Sequence, residues 1–202
     1  MILVPTEFER QQLANHLSQE MHLCGFGVIA AAARAMQLIN EHQPERVVLI
    51  GIAGTLDEHR LRVNEAAIFR EVYIDGIGVG AHGDHRSAME VGFEQFADVG
   101  EWLPLHAPKQ VYAYDGLLSV CAASANLEQA NWRRERFPDC LAEEMEGFGV
   151  ALACKLADLP LTIIRGISNV AGDRKKSNWQ IAGALEQAAQ RFSLISADSE
   201  DF

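Results

Sequence analysis

The segment Glu143-Glu144-Met145-Glu146-Gly147 concentrates three carboxylates within four residues. A carboxylate is an acceptor with two oxygens, so one member of this segment could take both hydroxyls of a sugar diol. Acidic residues are also favoured in the first turn of a helix, where they complement the helix dipole. Composition alone favours the second, purely structural interpretation.

A second polar cluster, Arg165-Gly166-Ile167-Ser168-Asn169, follows the apolar run Leu161–Ile164, which is typical of a buried strand. Polar side chains at the exit of such a strand lie where ligands bind in open α/β sheets. The amide of Asn169 offers one acceptor and two donors, which suits the edge of a flat heterocycle. Turn formation is the alternative, but the position favours a binding site.

Two glycine-rich segments also follow apolar runs. Gly25-Phe26-Gly27-Val28-Ile29-Ala30 matches the G-x-G-x-x-A pattern of dinucleotide sites. Those sites require an acidic residue about 20 residues further on, whereas here the next strand ends at Gly51-Ile52-Ala53-Gly54. We interpret the first segment as a tight strand-to-helix turn, and the second fits a ligand-binding loop and a simple turn equally well.

The segment His82-Gly83-Asp84-His85 could suggest a metal site. Zinc sites use three or four ligands in a set geometry, so candidates crowded into a polar loop are better explained as a solvated turn. The sequence also lacks the G-x-x-x-x-G-K-[ST], H-E-x-x-H and G-x-S-x-G motifs. P-loop phosphoryl transfer, zincin proteolysis and α/β-hydrolase chemistry therefore lose their usual support.

The elements that must position these residues alternate between strands and helices, which predicts a three-layer α/β domain. The predicted strands are Met1–Pro5, Met21–Cys24, Arg46–Ile50, Ala66–Ile74, parts of Gln110–Ala123, and Leu161–Ile164. The predicted helices are Glu7–Gln19, Val28–Glu41, Leu127–Phe137 capped by Asn126, Glu143–Leu156 and Asn178–Phe192, and Gly76–Gly100 is expected to be loop and edge structure. Ligands are then expected at the residues that follow strands: Thr6–Glu9, Gly25–Gly27, Gly51–Gly54, Glu144–Gly147 and Arg165–Asn169.

Length and composition bound the remaining possibilities. The 202 residues predict a single domain over the whole chain, with a frayed acidic tail at Ser196–Phe202. A net charge of −11 disfavours nucleic acid and anionic membranes as partners. The first residues lack the basic region and long apolar stretch typical of a secretory signal, and no apolar run approaches the length of a membrane span. Cys24, Cys121, Cys140 and Cys154 show no C-x-x-C spacing. We therefore expect a cytoplasmic protein.

In order, these segments resemble the nucleoside phosphorylase/nucleosidase superfamily, in the branch of the methylthioadenosine/adenosylhomocysteine nucleosidases. The segments that carry the resemblance are Cys24–Gly27 with Ala30–Ala33, Ile50–Gly54, Glu144–Gly147 and Arg165–Asn169. Within that branch, Gly172–Arg174 and Asn178–Ile181 are similar to the futalosine hydrolases. The resemblance implies an α/β/α nucleoside phosphorylase-like fold around a mixed, largely parallel twisted sheet. It also implies no metal or organic cofactor, and a homodimer or larger homo-oligomer.

The resemblance also implies roles for individual residues. Glu146 is similar to the ligand of the ribose 2′ and 3′ hydroxyls, and Met145 would pack under the sugar. Glu9 is similar to the acid that activates the attacking water, with Glu7 as the alternative in the alignment, and Arg165 would help to hold that water. The remaining implied substrate contacts are Glu144, Ile52, Ala53, Gly54, Ser124 and Trp179, with Arg174 placed to meet a carboxylate on the substrate tail. For Trp179, simple core packing is an equal alternative.

Two positions depart from the adenine-specific nucleosidases that the chain resembles. Asn169 stands where those enzymes carry an Asp, which can donate a proton toward N7 of adenine. A neutral Asn suits the 6-oxo group of hypoxanthine and opposes the 6-amino group of adenine, a mismatch that costs about 1–3 kcal/mol. Ile52 replaces a Ser that is often found near the water.

The resemblance therefore implies hydrolysis of futalosine to hypoxanthine and dehypoxanthine futalosine, in menaquinone biosynthesis. Three alternatives stay open: a nucleosidase acting on methylthioadenosine, adenosylhomocysteine or inosine, a purine nucleoside phosphorylase, and a non-catalytic nucleoside-binding protein. No basic residue precedes Arg34 in the glycine-rich segments, which favours water over phosphate as the nucleophile.

Overall fold

The computed structural model describes residues 1–80, 84–96, 98–109 and 111–197. The strands are β1 (Ile2–Val4), β2 (Met21–Leu23), β3 (Val47–Thr55), β4 (Ala66–Asp75), β5 (Gly78–Val79), β6 (Arg86–Ser87), β7 (Trp102–Pro104), β8 (Tyr114–Val120), β9 (Cys140–Glu144) and β10 (Leu161–Val170). The helices are α1 (Glu7–Leu13), α2 (Val28–His42), α3 (Leu127–Arg136), α4 (Gly147–Leu156) and α5 (Ile181–Ser196).

The central sheet runs in the order β2-β1-β3-β9-β8-β4-β10, and β10 pairs back onto β3. Five strands, β3, β9, β8, β4 and β10, therefore form a closed ring, with β1 and β2 extending from β3 and β7 pairing with β4. The β3–β9, β4–β10 and β4–β7 pairs are antiparallel, and the other pairs in this sheet are parallel. The predicted mixed, largely parallel sheet is confirmed.

Helices cover the sheet from opposite sides, as a three-layer arrangement requires. Helices α2 and α4 share one core cluster, which includes Ala31, Leu38 and Phe148. Helices α1 and α5 share another, with Leu13, Leu185 and Phe192. The α2–α4 approach is close, because a Cβ on Gly149 would collide with the carbonyl of Val28. Among the described residues, no helix has both the length and the apolar character needed to cross a bilayer.

Two strands run further than predicted. The predicted strand Arg46–Ile50 continues as β3 to Thr55, so Gly51–Gly54 are strand residues, not a turn or loop. Strand β10 likewise continues past Ile164 to Val170 and includes Arg165–Asn169. Both extensions arise because the two strands pair with each other, Arg165 with Gly51 and Asn169 with Gly54. This pairing satisfies backbone groups that local sequence patterns assign to turns.

The predicted helix over Glu143–Leu156 was wrong at its start. Cys140–Glu144 form β9, and the helix begins at Gly147. Glu143 pairs with Gly54 of β3 and with Leu118 of β8, so the carboxylates stand in a strand, not in a first helical turn. Their interpretation as helix-dipole partners is therefore wrong for Glu143, whereas the side chain of Glu144 does accept the first backbone N–H groups of α4, from Glu146 and Gly147.

Other boundaries differ by smaller amounts. Helix α1 ends at Leu13 instead of Gln19, and α5 runs from Ile181 to Ser196, later than predicted. Asn126 caps α3 as expected, since its side chain accepts from the backbone N–H of Gln129 at 2.9 Å. The expected frayed tail lies mostly outside the described residues, which end at residue 197. The segment His82–His85, considered above as a metal site, also lies partly outside the described residues, because residues 82 and 83 are not described. His85 is described and is buried.

Candidate active site

A cavity of about 370 Å³ opens where β1, β3, β9 and β10 end. These ends come together because β3 pairs with each of the other three strands. The implied site residues that line the cavity are Glu9, Ile52, Ala53, Gly54, Glu144, Met145, Glu146, Asn169 and Trp179. Arg165 and Ser124 are fully buried and do not line it.

The guanidinium of Arg165 lies behind the cavity wall. Its Nη2 donates to the carboxylates of Glu144 and Glu146, the latter at 3.3 Å. Burial alone would lower the pKa of Arg165, but the carboxylates of Glu144, Glu146 and Glu9 outweigh burial and raise it. The cation is therefore permanent, and it fixes the position of two of the cavity's acids.

Glu144 has its oxygens occupied by the protein itself. It accepts from Ser119 Oγ, from Arg165, and from the backbone N–H groups of Glu146 and Gly147 at 2.8–3.0 Å. A carboxylate this fully bonded has little capacity left for a ligand. Glu144 therefore anchors the turn that leads from β9 into α4.

The carboxylate of Glu146 has more hydrogen-bonding capacity left for a bound molecule than that of Glu144. Its Oε1 accepts from the backbone N–H of Gly27 at 3.0 Å, and among the described residues its Oε2 accepts only the long bond from Arg165. Gly27 has φ = 89°, a conformation that favours glycine, so the glycine-rich turn between β2 and α2 serves this carboxylate. Burial raises the pKa of Glu146 to about 7, against the lowering effect of Arg165.

Glu9 borders the same cavity and is only 5% exposed, whereas the alternative, Glu7, lies in the solvent and pairs with Arg10 at 2.8 Å. Thr6 caps α1 and also donates its hydroxyl to Oε2 of Glu9 at 2.5 Å. Oε1 of Glu9 accepts from the backbone N–H of Ile52 at 3.1 Å. The backbone of Ile52, not its side chain, thus orients this carboxylate.

Gly51 keeps Glu9 and Arg165 close together. A Cβ at this position would collide with Nη1 of Arg165 and would lie 2.9 Å from Oε1 of Glu9. The strand therefore needs glycine where the two charged side chains meet.

The amide of Asn169 has a defined orientation. Its Nδ2 donates to the carbonyl of Val170 at 2.8 Å, and its Oδ1 accepts from Ser168 Oγ at 2.8 Å. A backbone carbonyl can only accept, so the amide cannot turn over without losing this bond. One N–H and one lone pair are left for a ligand in the cavity.

Sequence reasoning missed Glu143, which also lines the cavity. Its Oε1 accepts from the backbone N–H of Ser124 at 2.8 Å, and its Oε2 from Ser124 Oγ at 2.6 Å. Ser124 itself is fully buried and donates its hydroxyl to Glu143, so its expected contact with the substrate stays a prediction. A prediction of a strand over Cys140–Glu144 would have placed the neighbouring side chains of Glu143 and Glu144 on opposite faces of the sheet. The two carboxylates would then have been given different partners.

The mouth of the cavity combines aromatic and basic side chains. Phe8 and Phe26 are more than half exposed, and Trp179 is held by a bond from its Nε1 to the carbonyl of Asp173 at 2.9 Å. The guanidinium of Arg174 lies 5.3 Å from the ring centroid of Trp179, within cation–π range. Together with Lys176, Arg174 gives the mouth positive charge in a chain of net charge −11.

Comparison with known proteins places this geometry in a family. The family model described as the phosphorylase superfamily matches residues 17–198. The chain therefore belongs to the phosphorylase superfamily.

Individual relatives are named as nucleosidases. A 5′-methylthioadenosine/S-adenosylhomocysteine nucleosidase of Bacillus thuringiensis subsp. konkukian is 30% identical over 192 residues, covering 91% of this chain and 80% of the relative. The nucleosidase of the same name from Tolumonas auensis is 28% identical over 201 residues, covering 94% and 83%.

Solved structures share the fold at lower identity. The Helicobacter pylori 5′-methylthioadenosine/S-adenosylhomocysteine nucleosidase, crystallised with butyl-thio-DADMe-Immucillin-A, has a TM-score of 0.79 at 15% identity, covering 98% of this chain and 97% of the other. The native futalosine hydrolase of Helicobacter pylori has a TM-score of 0.80 at 14% identity, covering 98% and 96%. These two likenesses establish the fold.

The raised pKa of Glu146 predicts a specific pH dependence of stability. The folded-state pKa of about 7 exceeds the ordinary value of 4.5, so Glu146 contributes stability that is complete below 4.5 and is lost as pH rises through 7. Glu146→Gln mimics the protonated form at every pH. Between about pH 5 and pH 8, the wild type should therefore lose on the order of 2 kcal/mol relative to Glu146→Gln, roughly 4–8 °C in Tm.

Thermal melts of both ligand-free proteins across this range measure the effect. Glu7→Gln is the control, because Arg10 holds the pKa of Glu7 below its ordinary value and the carboxylate is ionised throughout. If the wild-type and Glu146→Gln melting curves run parallel with pH, Glu146 does not titrate near neutrality.

Proposed function

We propose that this chain is a purine nucleosidase that hydrolyses the N-glycosidic bond of a 6-oxopurine nucleoside, with futalosine as the substrate. The observation that carries the proposal is the set of three groups on one cavity: Glu146, Glu9 and the oriented amide of Asn169. They match the three parts of the reaction, namely the sugar, the water and the leaving base. The names of the curated relatives support the nucleosidase class.

The ribose end belongs to Glu146. In its ionised form this carboxylate accepts the 2′ and 3′ hydroxyls, and the partly buried side chain of Met145 packs beside the sugar. The bond from C1′ to N9 stretches toward an oxocarbenium-like state, as in other glycoside hydrolyses. Negative charge on the carboxylate stabilises the positive charge that develops on the ring.

Water attacks C1′ and gives a proton to Glu9, while the electron pair of the broken bond goes to the base, which takes its N7 proton from solvent because the neutral amide of Asn169 cannot supply one. Glu9 is fixed by Thr6 and by the N–H of Ile52, so it needs no reorganisation to act as this base. Arg165 is a positioning residue here, since it touches Glu144 and Glu146 behind the wall. Four carboxylates line the cavity and repel phosphate, which favours water as the nucleophile; they are those of Glu9, Glu143, Glu144 and Glu146.

The choice of base follows from which groups the leaving purine presents. When N7 carries a proton, adenine presents two donors, N6–H and N7–H, whereas hypoxanthine presents the acceptor O6 and the donor N7–H. The free N–H and lone pair of Asn169 match hypoxanthine and leave one donor of adenine mispaired, at a cost of about 1–3 kcal/mol. Before protonation an Asn amide pairs well with N6–H and N7 of adenine. Asn169 therefore distinguishes hypoxanthine from adenine in the rate of catalysis more than in binding of the substrate.

The residues at the mouth of the cavity support futalosine as the substrate, because they suit its tail. Futalosine carries an aromatic carboxylate on its sugar, and Trp179 with Arg174 and Lys176 offers a flat apolar surface beside two cations. The methylthio group of methylthioadenosine would make no use of these charges. The fold likeness to a futalosine hydrolase is in keeping with this choice but does not carry it.

A second candidate is methylthioadenosine/adenosylhomocysteine hydrolysis, which the names of the curated relatives favour. The test is release of free base from futalosine, inosine, methylthioadenosine and adenosine, with and without phosphate. We expect release from futalosine and inosine without phosphate, with kcat/KM about 10- to 100-fold above the adenine nucleosides. Asn169→Asp should reverse this preference, because a carboxyl group can accept from N6–H and protonate N7. Preference of the wild type for methylthioadenosine would establish the second candidate, and a requirement for phosphate would establish a phosphorylase.

Glu9 should be needed for turnover but not for binding. In Glu9→Gln the amide keeps the shape of the side chain but cannot take a proton, so kcat should fall at least about 100-fold with KM little changed. The matched control is Glu7→Gln, two residues away and exposed, which should retain wild-type kcat. Steady-state hypoxanthine release measures both. Near wild-type kcat in Glu9→Gln would remove Glu9 as the general base.

The basic mouth should act only on substrates that carry an acid. Arg174→Gln should raise KM for futalosine about 5- to 10-fold through loss of a partly exposed charge pair, while KM for inosine stays the same. Lys175→Gln is the control, since Lys175 is a neighbouring exposed cation that does not line the cavity. Equal changes in KM for both nucleosides would mean that Arg174 shapes the mouth and does not bind the tail.

A further inference from the structure

Glu143 and Arg133 belong to a second buried cluster of charged groups, on the side of β9 opposite Glu144. Arg133 of α3 is 5% exposed and donates from Nη1 to Oε2 of Glu143 at 2.8 Å and from Nε to Oδ2 of Asp75 at 3.0 Å. Its Nη2 donates to the carbonyl of Ala122 at 3.0 Å. One guanidinium thus ties together the ends of β4 and β9 and the loop after β8.

Fold stability alone does not explain the position of Glu143. Replacing a buried ion pair by apolar side chains is often neutral or stabilising, so such a pair is weak support for a structural role. Of the two carboxylates that face Arg133, Glu143 lines the cavity and Asp75 does not. The cluster therefore presents one of its acids to the ligand.

The carboxylate of Glu143 has capacity left for that ligand. Oε2 accepts from both Ser124 Oγ and Arg133, whereas Oε1 accepts one bond from the part of the chain that the structure describes, from the N–H of Ser124. A carboxylate oxygen accepts two hydrogen bonds and donates none when ionised. The free position on Oε1 therefore selects for an N–H or O–H donor and opposes a bare ring nitrogen.

Glu143 and Asn169 face the same part of the cavity. Gly54 of β3 pairs with Glu143 on one side and with Asn169 on the other, so the three residues form one row across three strands. Residues in one such row point to the same face of a sheet, and neighbouring strands lie about 4.8 Å apart. The middle member is glycine, so no side chain stands between the acid and the amide, and a Cβ there would lie only 3.3 Å from Nδ2 of Asn169.

We propose that Glu143 recognises the base by accepting the N1–H of a 6-oxopurine, and that Arg133 is the positioning residue that aims its carboxylate. The inference rests on the proposed function and deepens it. Along the edge of hypoxanthine, N7, O6 and N1 follow one another. Asn169 takes N7–H and O6, and Glu143 takes the next group, N1–H.

This assignment adds a second point of discrimination. N1 of adenine has no hydrogen and is itself an acceptor, so it would meet the carboxylate lone pair without a proton between them. Sites built to pair with a donor reject ligands that lack it, because the buried polar group is then unpaired. Unlike the contact with Asn169, the contact with Glu143 distinguishes the two bases in the ground state, and it is therefore visible in binding.

The experiment measures the dissociation constants of hypoxanthine and adenine by calorimetry in the wild type and in Glu143→Gln. The Gln amide can present a donor to N1 of adenine. We therefore expect hypoxanthine to bind about 10-fold more weakly and adenine to bind as well or better. A shift in the ratio of the two constants is the supporting result, because a loss of structure alone lowers both affinities together.

Asp75→Asn is the matched control, since it removes the other acid from Arg133 at a position that does not line the cavity. It should change both affinities by the same factor. Arg133→Lys should weaken hypoxanthine binding but keep hypoxanthine preferred over adenine, because the carboxylate is still present. An unchanged ratio in Glu143→Gln, or an equal change of the ratio in Asp75→Asn, would overturn the inference.

A measurement on the wild type keeps the inference testable if Glu143→Gln fails to fold. 1-Methylhypoxanthine keeps O6 and N7 but has no N1–H, and it should bind at least about 10-fold more weakly than hypoxanthine. Equal binding of the two would overturn the role of Glu143. Because these experiments measure binding of free bases, their outcome is independent of the test of the proposed function. If futalosine is cleaved but the affinity ratio is unchanged in Glu143→Gln, only the role of Glu143 is refuted. If no nucleoside releases its base, the hydrolase activity is refuted.

Discussion

The guanidinium of Arg165 is the charge on which the candidate site depends. It is fully buried and faces the carboxylates of Glu144 and Glu146, and Glu9 lies close enough to raise its pKa. Removing one partner of a buried ion pair typically costs about 3–5 kcal/mol, because the other charge is left without compensation. The acids of the cavity and the arginine behind it therefore hold one another in place, and Gly51 is the backbone position that leaves room for them.

Closure of the strand ring brings these groups together. Because β3 pairs with β1 and β10 along its first half and with β9 and β10 along its second, the ends of four strands meet at one cavity. Groups far apart in the chain then make direct contacts, as when the N–H of Gly27 reaches Glu146, 119 residues away. Strands β9 and β10 hold their functional side chains by pairing within the sheet, so the geometry is more rigid than a loop would give.

Two buried arginines, Arg165 and Arg133, form ion pairs with different acidic residues of the cavity wall. Arg165 holds Glu144 and Glu146, and Arg133 holds Glu143, which lies in one row with Gly54 and Asn169. Each arginine pairs with buried acids of the protein itself. The positive charge that reaches the ligand comes from Arg174 and Lys176 at the mouth. These two cations make the mouth locally positive in a chain of net charge −11.

The sequence by itself determined the elements with strong local signals. Helix α2, the start of β3, the Asn126 cap and the α/β class follow from alanine propensity, β-branched runs, capping chemistry and the alternation of strands and helices. Resemblance in short motifs then pointed to Glu9, Glu146 and Asn169, which line one cavity. Only the tertiary structure decided that Gly51–Gly54, Glu143–Glu144 and Arg165–Asn169 are strand, because their backbone partners lie tens of residues away. For the same reason only the fold separates Glu7 from Glu9, pairs the buried hydroxyl of Ser124 with Glu143, and brings Glu143 to the cavity. Burial and pairing across strands are properties that no local pattern encodes.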